Sequence, residues 1–283
     1  MNIKSKSLMD VHLAVFLFGL AGLFGKWLSL LSMIIVFGRV FFSSIFLLIL
    51  MLYLKKDIKL KNQKHYFYLA LMGGILAIHW CTFFKSIQVS TVAIGLLTCS
   101  TFPVFVTFLE PYFFKEKINV VDIVSAAIVF LGVVLIIPKF ELRNSTTQGV
   151  FWGIIAGFTY AILSMLNRKY VKEYSSLVIA FYEQVAAAVI LIPFLFFQNP
   201  VFHIKDIILL IILGTIFTGI SHSLFINSLK NIKTQTAGII SSLEPVYGIA
   251  FAIILLREIP TLREIMGGII ILGTVFYSTI RSK

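Results

Sequence analysis

Side chains able to bind ions or protons stand inside long apolar stretches of this sequence. They are five ionisable residues and one tryptophan: Arg39, His79, Trp80, Glu183, His222 and Glu244. A charged group in apolar surroundings lacks the water that normally stabilises it, so it is retained where it has a partner or a ligand. These positions therefore predict a buried binding site, and their chemistry indicates what that site would hold.

Arg39 and Glu183 stand in matching phrases, because each follows a Ser-x4-Phe-x pattern that begins at Ser32 or Ser176. A guanidinium suits a fixed anion or a carboxylate partner. The pairing predicts either a salt bridge between Arg39 and Glu183 or a site for a zwitterion. The alternative is that both side chains extend along their helices to the nearby membrane interface.

Glu244 lies deep in an apolar run and is followed directly by Pro245, which weakens a helix by removing one hydrogen bond. A carboxyl group in such surroundings is a candidate for reversible protonation and therefore for proton coupling. It could equally bind a cationic group of a substrate. A neutral glutamic acid bonded to a neighbouring helix is the structural alternative.

His79, Trp80 and His222 are predicted to form a cavity wall, and the two histidines occupy nearly equivalent repeat positions. Histidine relays protons or contacts aromatic ligands near neutral pH. A structural histidine with satisfied hydrogen bonds is the simpler alternative. Because no second ligand stands at metal spacing, we predict no metal site and no cofactor.

The elements that must position these residues are long apolar segments. Hydrophobic residues make up 59% of the 283 positions and charged residues only 13%, whereas a soluble domain has about a quarter of its residues charged. Ten runs approach the roughly 20 residues needed to cross a bilayer as a helix. Their limits are 11–30, 33–54, 66–86, 91–114, 119–137, 149–167, 175–197, 205–229, 234–256 and 262–280.

The net charge of +12 is interpreted as orientation in the membrane and not as nucleic-acid binding. With the N-terminus inside, the predicted inner segments hold 16 Lys and Arg residues and the outer segments hold 7. Cytoplasmic loops are enriched in these residues. The distribution predicts a multi-pass protein of a bacterial cytoplasmic (inner) membrane with both termini cytoplasmic, in contact with anionic lipids.

The two halves of the chain resemble each other. Pro103 and Pro245 are separated by 142 residues, as are Glu116 and Glu258. Each half holds five spans, an odd number, so the second half enters the membrane in the opposite orientation, as in many carriers. The prolines are predicted as hinges in the fourth and ninth spans. The two glutamates are predicted as salt-bridged helix ends.

Three matches show that the sequence resembles the drug/metabolite transporter superfamily and, within it, the EamA-domain exporters. They are Arg39 in the second span, the phrase from Leu243-Glu244-Pro245-Val246 to Leu255-Leu256-Arg257-Glu258, and the pairs Leu131-Gly132 and Leu272-Gly273. The first half departs from the pattern, since Phe102 stands where the second has Glu244. The resemblance implies a ten-helix basket with a central substrate cavity and alternating access.

We therefore predict an all-α polytopic membrane protein with ten transmembrane helices in two inverted five-helix repeats. The repeats are residues 8–137 and 149–280, joined by residues 138–148. The predicted function is secondary active export of small amphipathic metabolites such as amino acids, or of drugs. A metabolite importer or exchanger, such as one for S-adenosylmethionine, is the alternative within the same class.

Other classes of protein are less well supported by the sequence. It contains no phosphate-binding loop, no H-E-x-x-H motif and no G-x-S-x-G nucleophile motif, so the prediction is not an enzyme. An intramembrane enzyme would need clustered catalytic residues, and a non-transporting scaffold would need no buried charge. The sequence leaves open whether a proton or a counter-substrate drives transport, and whether the chain forms a homodimer.

Overall fold

A computed structural model describes residues 3–114, 120–139, 141, 143–198 and 200–281, which form helices joined by turns with no strand among them. Glu116 lies outside the described residues. The helices are α1 (Ile3–Ala21), α2 (Phe24–Trp27), α3 (Ser32–Tyr53), α4 (Gln63–Val89), α5 (Val92–Cys99), α6 (Phe102–Phe114), α7 (Val120–Ile136), α8 (Ser145–Tyr170), α9 (Ser176–Gln198), α10 (Ile204–Gly214), α11 (Ser221–Ser228), α12 (Thr234–Ser241), α13 (Glu244–Leu256) and α14 (Leu262–Arg281).

Eight segments of the described chain are long and apolar enough to cross a membrane. They are Ser5–Trp27, Ser32–Tyr53, Gln63–Val89, Val92–Phe113, Ser145–Tyr170, Ser176–Gln198, Ile204–Ser228 and Thr236–Leu256. Large apolar side chains cover the outside of the bundle, as shown by Phe67, Leu52 and Ile49, which are 69%, 63% and 61% exposed. An exterior of this kind is unfavourable in water and suits lipid.

Two of these spans are broken, each shortly before a proline. A turn at residues 100–101 separates α5 from α6, and a turn at residues 242–243 separates α12 from α13. Pro103 and Pro245 are the second residues of the helices that follow, where a missing N–H removes no helical hydrogen bond. The breaks predicted at the prolines are present, and each precedes its proline.

The helix break between α10 and α11 is of a different kind. One π-helical turn, Thr215–Ile220, joins the two helices. The hydroxyl of Thr218 donates to the carbonyl oxygen of Leu213, five residues earlier, at 2.7 Å. Such turns are rare and often lie at functional sites. This one turns Thr218 and the carbonyl of Phe217 toward α3.

A stripe of glycines on α8, at positions 149, 153 and 157, lets this helix pack closely against α5. A Cβ atom added at Gly153 would overlap Thr98, and one at Gly157 would lie 2.9 Å from the carbonyl oxygen of Cys99. Small residues of this kind let helix backbones approach closely. This packing brings α8 directly against the first helix break.

Candidate functional site

A narrow cavity lies where the two helix breaks meet α1, α3, α4, α8 and α11. Five of the six residues that the sequence singled out contribute to its wall: Arg39, His79, Trp80, His222 and Glu244. The unfilled space is only ≈ 30 Å³, which is room for about two water molecules. The cavity is therefore too narrow for an organic solute, which would enter it only if the surrounding helices moved apart.

Arg39 is buried, with 1% of its surface exposed, so its side chain does not reach an interface. Its Nε donates to Thr218 Oγ1 at 2.9 Å, and the guanidinium carbon lies 3.9 Å from the centre of the Trp80 ring, a cation–π contact. Within the described chain, no carboxylate lies within ion-pair distance of it. A hydroxyl and an aromatic face hold the guanidinium, which leaves N–H groups for an anion.

Glu244 is the first residue of α13, directly after the second helix break. Its carboxylate lines the same cavity as Arg39 and lies close enough to act on the guanidinium electrostatically, without forming an ion pair. Ser100 and Phe102, from the first break, complete this part of the wall. The two breaks therefore meet at one cavity, and only the break before α13 contributes a carboxylate side chain, Glu244.

Aromatic rings make up much of the remaining wall. The ring of His79 stacks on Tyr160, with centroids 4.7 Å apart and planes 19° from parallel. Nδ1 of His79 lies 2.8 Å from the carbonyl oxygen of Ala156, which can only accept, so Nδ1 carries the hydrogen. Among the described residues, no group of three or more His, Cys, Asp or Glu side chains is arranged to hold a metal.

Glu183 does not pair with Arg39, and the predicted salt bridge between them is wrong for this conformation. Its side chain is fully buried, and Oε2 lies 2.7 Å from Nε2 of His222. His222 lines the cavity, whereas Glu183 lies behind it. The reason is geometric: repeat equivalence relates two residues by symmetry but does not bring their side chains into contact.

Glu258 lies just after the end of α13, as predicted, but its carboxylate caps the N-terminus of another helix, α5. Oε1 accepts a hydrogen bond from the backbone N–H of Val92, at the start of α5, at 2.5 Å. Nearby, Glu264 Oε1 accepts from the hydroxyl of Thr91 at 2.8 Å. Carboxylates stabilise helix N-termini, so the predicted salt bridge is replaced by capping of α5.

An ion pair between Arg168 and Glu110 was not predicted. It joins α8 to α6, with Arg168 Nη1 3.0 Å from Glu110 Oε1, and the two side chains are 13% and 5% exposed. A signal for it existed, since Glu110 is an acidic residue within an apolar run. Tyr160 and Thr218 were also missed, because one tyrosine or threonine in an apolar run is too common to indicate a site.

We expect Arg168→Gln to lower the free energy of unfolding by roughly 1.5–3 kcal/mol, because the hydrogen bond to a mostly buried carboxylate is lost. The double variant Arg168→Gln, Glu110→Gln should lose less stability than the sum of the two single variants, because it no longer contains the Glu110 charge that Arg168 compensates. Thermal melting in detergent of the wild type, the two single variants and the double variant measures this coupling. Strictly additive effects would show that the pair contributes nothing.

These features define a class of protein: a multi-pass helical membrane protein with a narrow cavity, lined by ionisable side chains, where two helix breaks meet. The EamA-like transporter family matches the chain twice, over residues 7–137 and 147–280. The chain therefore belongs to the EamA-like transporter family, and its resemblance to the drug/metabolite transporter superfamily is confirmed.

Relatives and solved structures agree with this assignment. An uncharacterized transporter of Bacillus subtilis (strain 168) is 28% identical over 99% of this chain and 91% of its own length. An S-adenosylmethionine uptake transporter of Rickettsia conorii is 24% identical over 86% of this chain and 81% of its own length. A crystal structure covering 98% of this chain and 97% of its own superposes with a TM-score of 0.72 at 14% identity, which shows a shared fold.

Proposed function

We propose that this chain is a secondary active transporter that exports small zwitterionic organic solutes across a bacterial cytoplasmic membrane by alternating access. Both termini lie in the cytoplasm in this proposal. The transported class comprises amino acids and related amphipathic metabolites. The observation that carries the proposal is the placement of Arg39 and Glu244 in one cavity without an ion pair between them.

The architecture in this proposal is two inverted five-helix repeats, residues 8–137 and 149–280, joined by residues 138–148. The family matches each half separately, and the broken spans α5–α6 and α12–α13 stand at equivalent positions. Broken helices at a repeat interface are where carriers place their substrates. α7 and α14 pack against each other away from the cavity, where Gly132 and Gly267 allow close contact.

A zwitterion uses both charges of the cavity. Its carboxylate would accept hydrogen bonds from the N–H groups of Arg39 that have no protein partner, and its ammonium group would bind the carboxylate of Glu244. The rings of Trp80, His79 and Tyr160 offer an apolar surface for the rest of the molecule. A substrate of one charge would leave either the buried Arg39 or the Glu244 carboxylate without a partner of opposite charge, which is costly for a desolvated group.

Uptake or exchange of S-adenosylmethionine is the second candidate. Relatives from Rickettsia conorii and Rickettsia bellii are named S-adenosylmethionine uptake transporters and align over 86% of this chain. That molecule carries an amino-acid group together with a further positive charge and an aromatic base, which suits the same wall. The two candidates differ in direction and in the need for a counter-substrate.

Purified protein in liposomes tests both candidates. Tritiated phenylalanine, tritiated lysine and tritiated S-adenosylmethionine are offered with and without a pH gradient, and counterflow from loaded vesicles separates exchange from net movement. Counterflow of at least one probe supports the proposal. A scaffold or an intramembrane enzyme would leave every flux at the level of empty liposomes.

Glu244→Gln is expected to lower counterflow roughly ten- to hundredfold at every pH, because a neutral amide lacks the charge-assisted bond to an ammonium group. Initial rates of counterflow measure the effect. Glu173→Gln is the matched control, since that carboxylate is 45% exposed and lies away from the cavity. Wild-type counterflow by Glu244→Gln at every pH would remove Glu244 from both substrate binding and proton coupling.

A further inference from the structure

Glu183 and His222 form a sealed acid–base pair beside the cavity. Glu183 is 0% exposed and His222 1%, and one oxygen–nitrogen distance of 2.7 Å joins them. The imidazole ring forms part of the cavity wall and meets the Trp80 ring edge-on at 5.5 Å, whereas the carboxylate does not reach the cavity. A change of charge on this pair would therefore be felt at the cavity without contact between substrate and carboxylate.

Polar side chains of α8 lie next to the pair. Asn167 lies within hydrogen-bonding reach of Glu183, and Ser164 within reach of Tyr160. The spacing of Tyr160, Ser164 and Asn167 puts the three side chains on one helix face. A row of polar groups therefore extends from the pair along α8 and can exchange hydrogen bonds with it.

Other titratable groups are turned toward the pair by the neighbouring helices. Tyr160 comes from α8 and His79 from α4, and both interact electrostatically with it. Arg39, from α3, lies against the Trp80 ring, which also contacts His222. Glu244, from α13, interacts with Tyr160 across the cavity. Around the cavity, within the described chain, Glu183 is the carboxylate that contacts a histidine. A proton can therefore bind between the Glu183 carboxylate and the His222 ring.

We propose that Glu183 and His222 form the proton-binding site that couples transport, while Glu244 binds the solute. With one proton between Oε2 and Nε2 and a second on Nδ1, the pair is neutral overall. When one of these two protons leaves to water, a carboxylate and a neutral imidazole remain, and their net negative charge in apolar surroundings is unfavourable unless the region opens to water. The doubly protonated pair therefore favours the closely packed conformation described above, and loss of a proton favours opening. The coupling role rests on the proposed transport function.

The proton site is tested first without any solute. Potentiometric titration of purified protein in detergent, across about pH 5 to 9, should show that the double variant Glu183→Gln, His222→Gln binds one proton fewer than the wild type. Glu173→Gln, which replaces an exposed carboxylate, is the control. An equal proton count in the double variant and the wild type overturns the proposal, whether or not a transported solute is found.

The coupling is tested in liposomes with tritiated phenylalanine and tritiated S-adenosylmethionine. Glu183→Gln should lose accumulation driven by a pH gradient but retain counterflow, whereas Glu244→Gln should lose counterflow as well. His222→Gln should also lose accumulation driven by a pH gradient if the two residues act as one site, and size-exclusion chromatography confirms that each variant is folded. Accumulation that persists in Glu183→Gln, or that follows a sodium gradient in the wild type, overturns the coupling. Absence of wild-type counterflow for these two probes and for tritiated lysine contradicts the transport function instead.

Discussion

Arg39→Met should lower solute transport roughly ten- to hundredfold while leaving the protein folded and at least as stable as the wild type. Arg39 is buried and has no ion-pair partner among the described residues. A charge of this kind costs roughly 2.5–3.5 kcal/mol in a membrane on insertion scales, so its removal does not destabilise the protein. Because Arg39 has no ion-pair partner, the substitution also leaves no opposite charge unpaired at contact distance. Loss of its hydrogen bonds to a substrate carboxylate, about 1.5–3 kcal/mol, lowers affinity roughly ten- to hundredfold.

Counterflow rates and melting temperature in detergent, measured on the same preparation, separate these two effects. Arg39→Lys is the informative intermediate, because it keeps the charge but loses the Nε bond to Thr218 and the planar stacking on Trp80. We expect it to retain part of the counterflow. If Arg39→Met unfolds, or transports at the wild-type rate, the guanidinium is a structural group and not the anion site.

Gly73→Ala should destabilise the fold strongly, although it adds a single methyl group. A Cβ atom at this position would overlap the carbonyl oxygen of Glu183 and lie 2.6 Å from Cβ of Ala186. These are backbone and first side-chain atoms of α9, which cannot rotate away. α4 and α9 would have to separate, at a cost of about 1–3 kcal/mol for overpacking, and Glu183 would move with α9.

Gly74→Ala, one residue further along α4, is the matched control. There the nearest atom to the added Cβ is Cδ1 of Ile190 at 3.5 Å, an ordinary contact. Thermal melting and the monodisperse fraction on size-exclusion chromatography should therefore distinguish the two alanine variants clearly. Equal stability of the two would mean that α4 and α9 are not tightly packed at Gly73.

The positions of the helices were predictable because a bilayer imposes a simple requirement. A run of apolar residues long enough to cross it must satisfy its backbone hydrogen bonds internally, and a helix does so. The predicted run 33–54, for example, corresponds to α3 at Ser32–Tyr53. Breaks were also predicted at Pro103 and Pro245, but each lies just before its proline, which stands in the first turn of the next helix and removes no helical hydrogen bond there. The π turn at Thr215–Ile220 was not predictable, because no residue type requires one.

The members of the site were easier to predict than their partners. Ionisable side chains in apolar runs are few, so Arg39, Glu183 and Glu244 stood out by type alone. Which of them meet depends on how α3, α9 and α13 pack around α4 and α11, and the sequence contains no local signal for that. The repeat suggested that Arg39 pairs with Glu183. In the structure Glu183 contacts His222, and Arg39 lies near Glu244.

The sequence by itself determined that lipid surrounds this chain, that its helices are long and apolar, and that a few charges are retained inside them. These properties follow from composition, because the free-energy cost of exposing an apolar side chain to water depends on the residue type and not on its place in the fold. Tertiary structure alone decided the pairing of Glu183 with His222, the contact of Arg39 with Trp80 and the narrowness of the cavity. Such contacts depend on distances of a few ångströms between helices far apart in the chain, and only packing sets those distances.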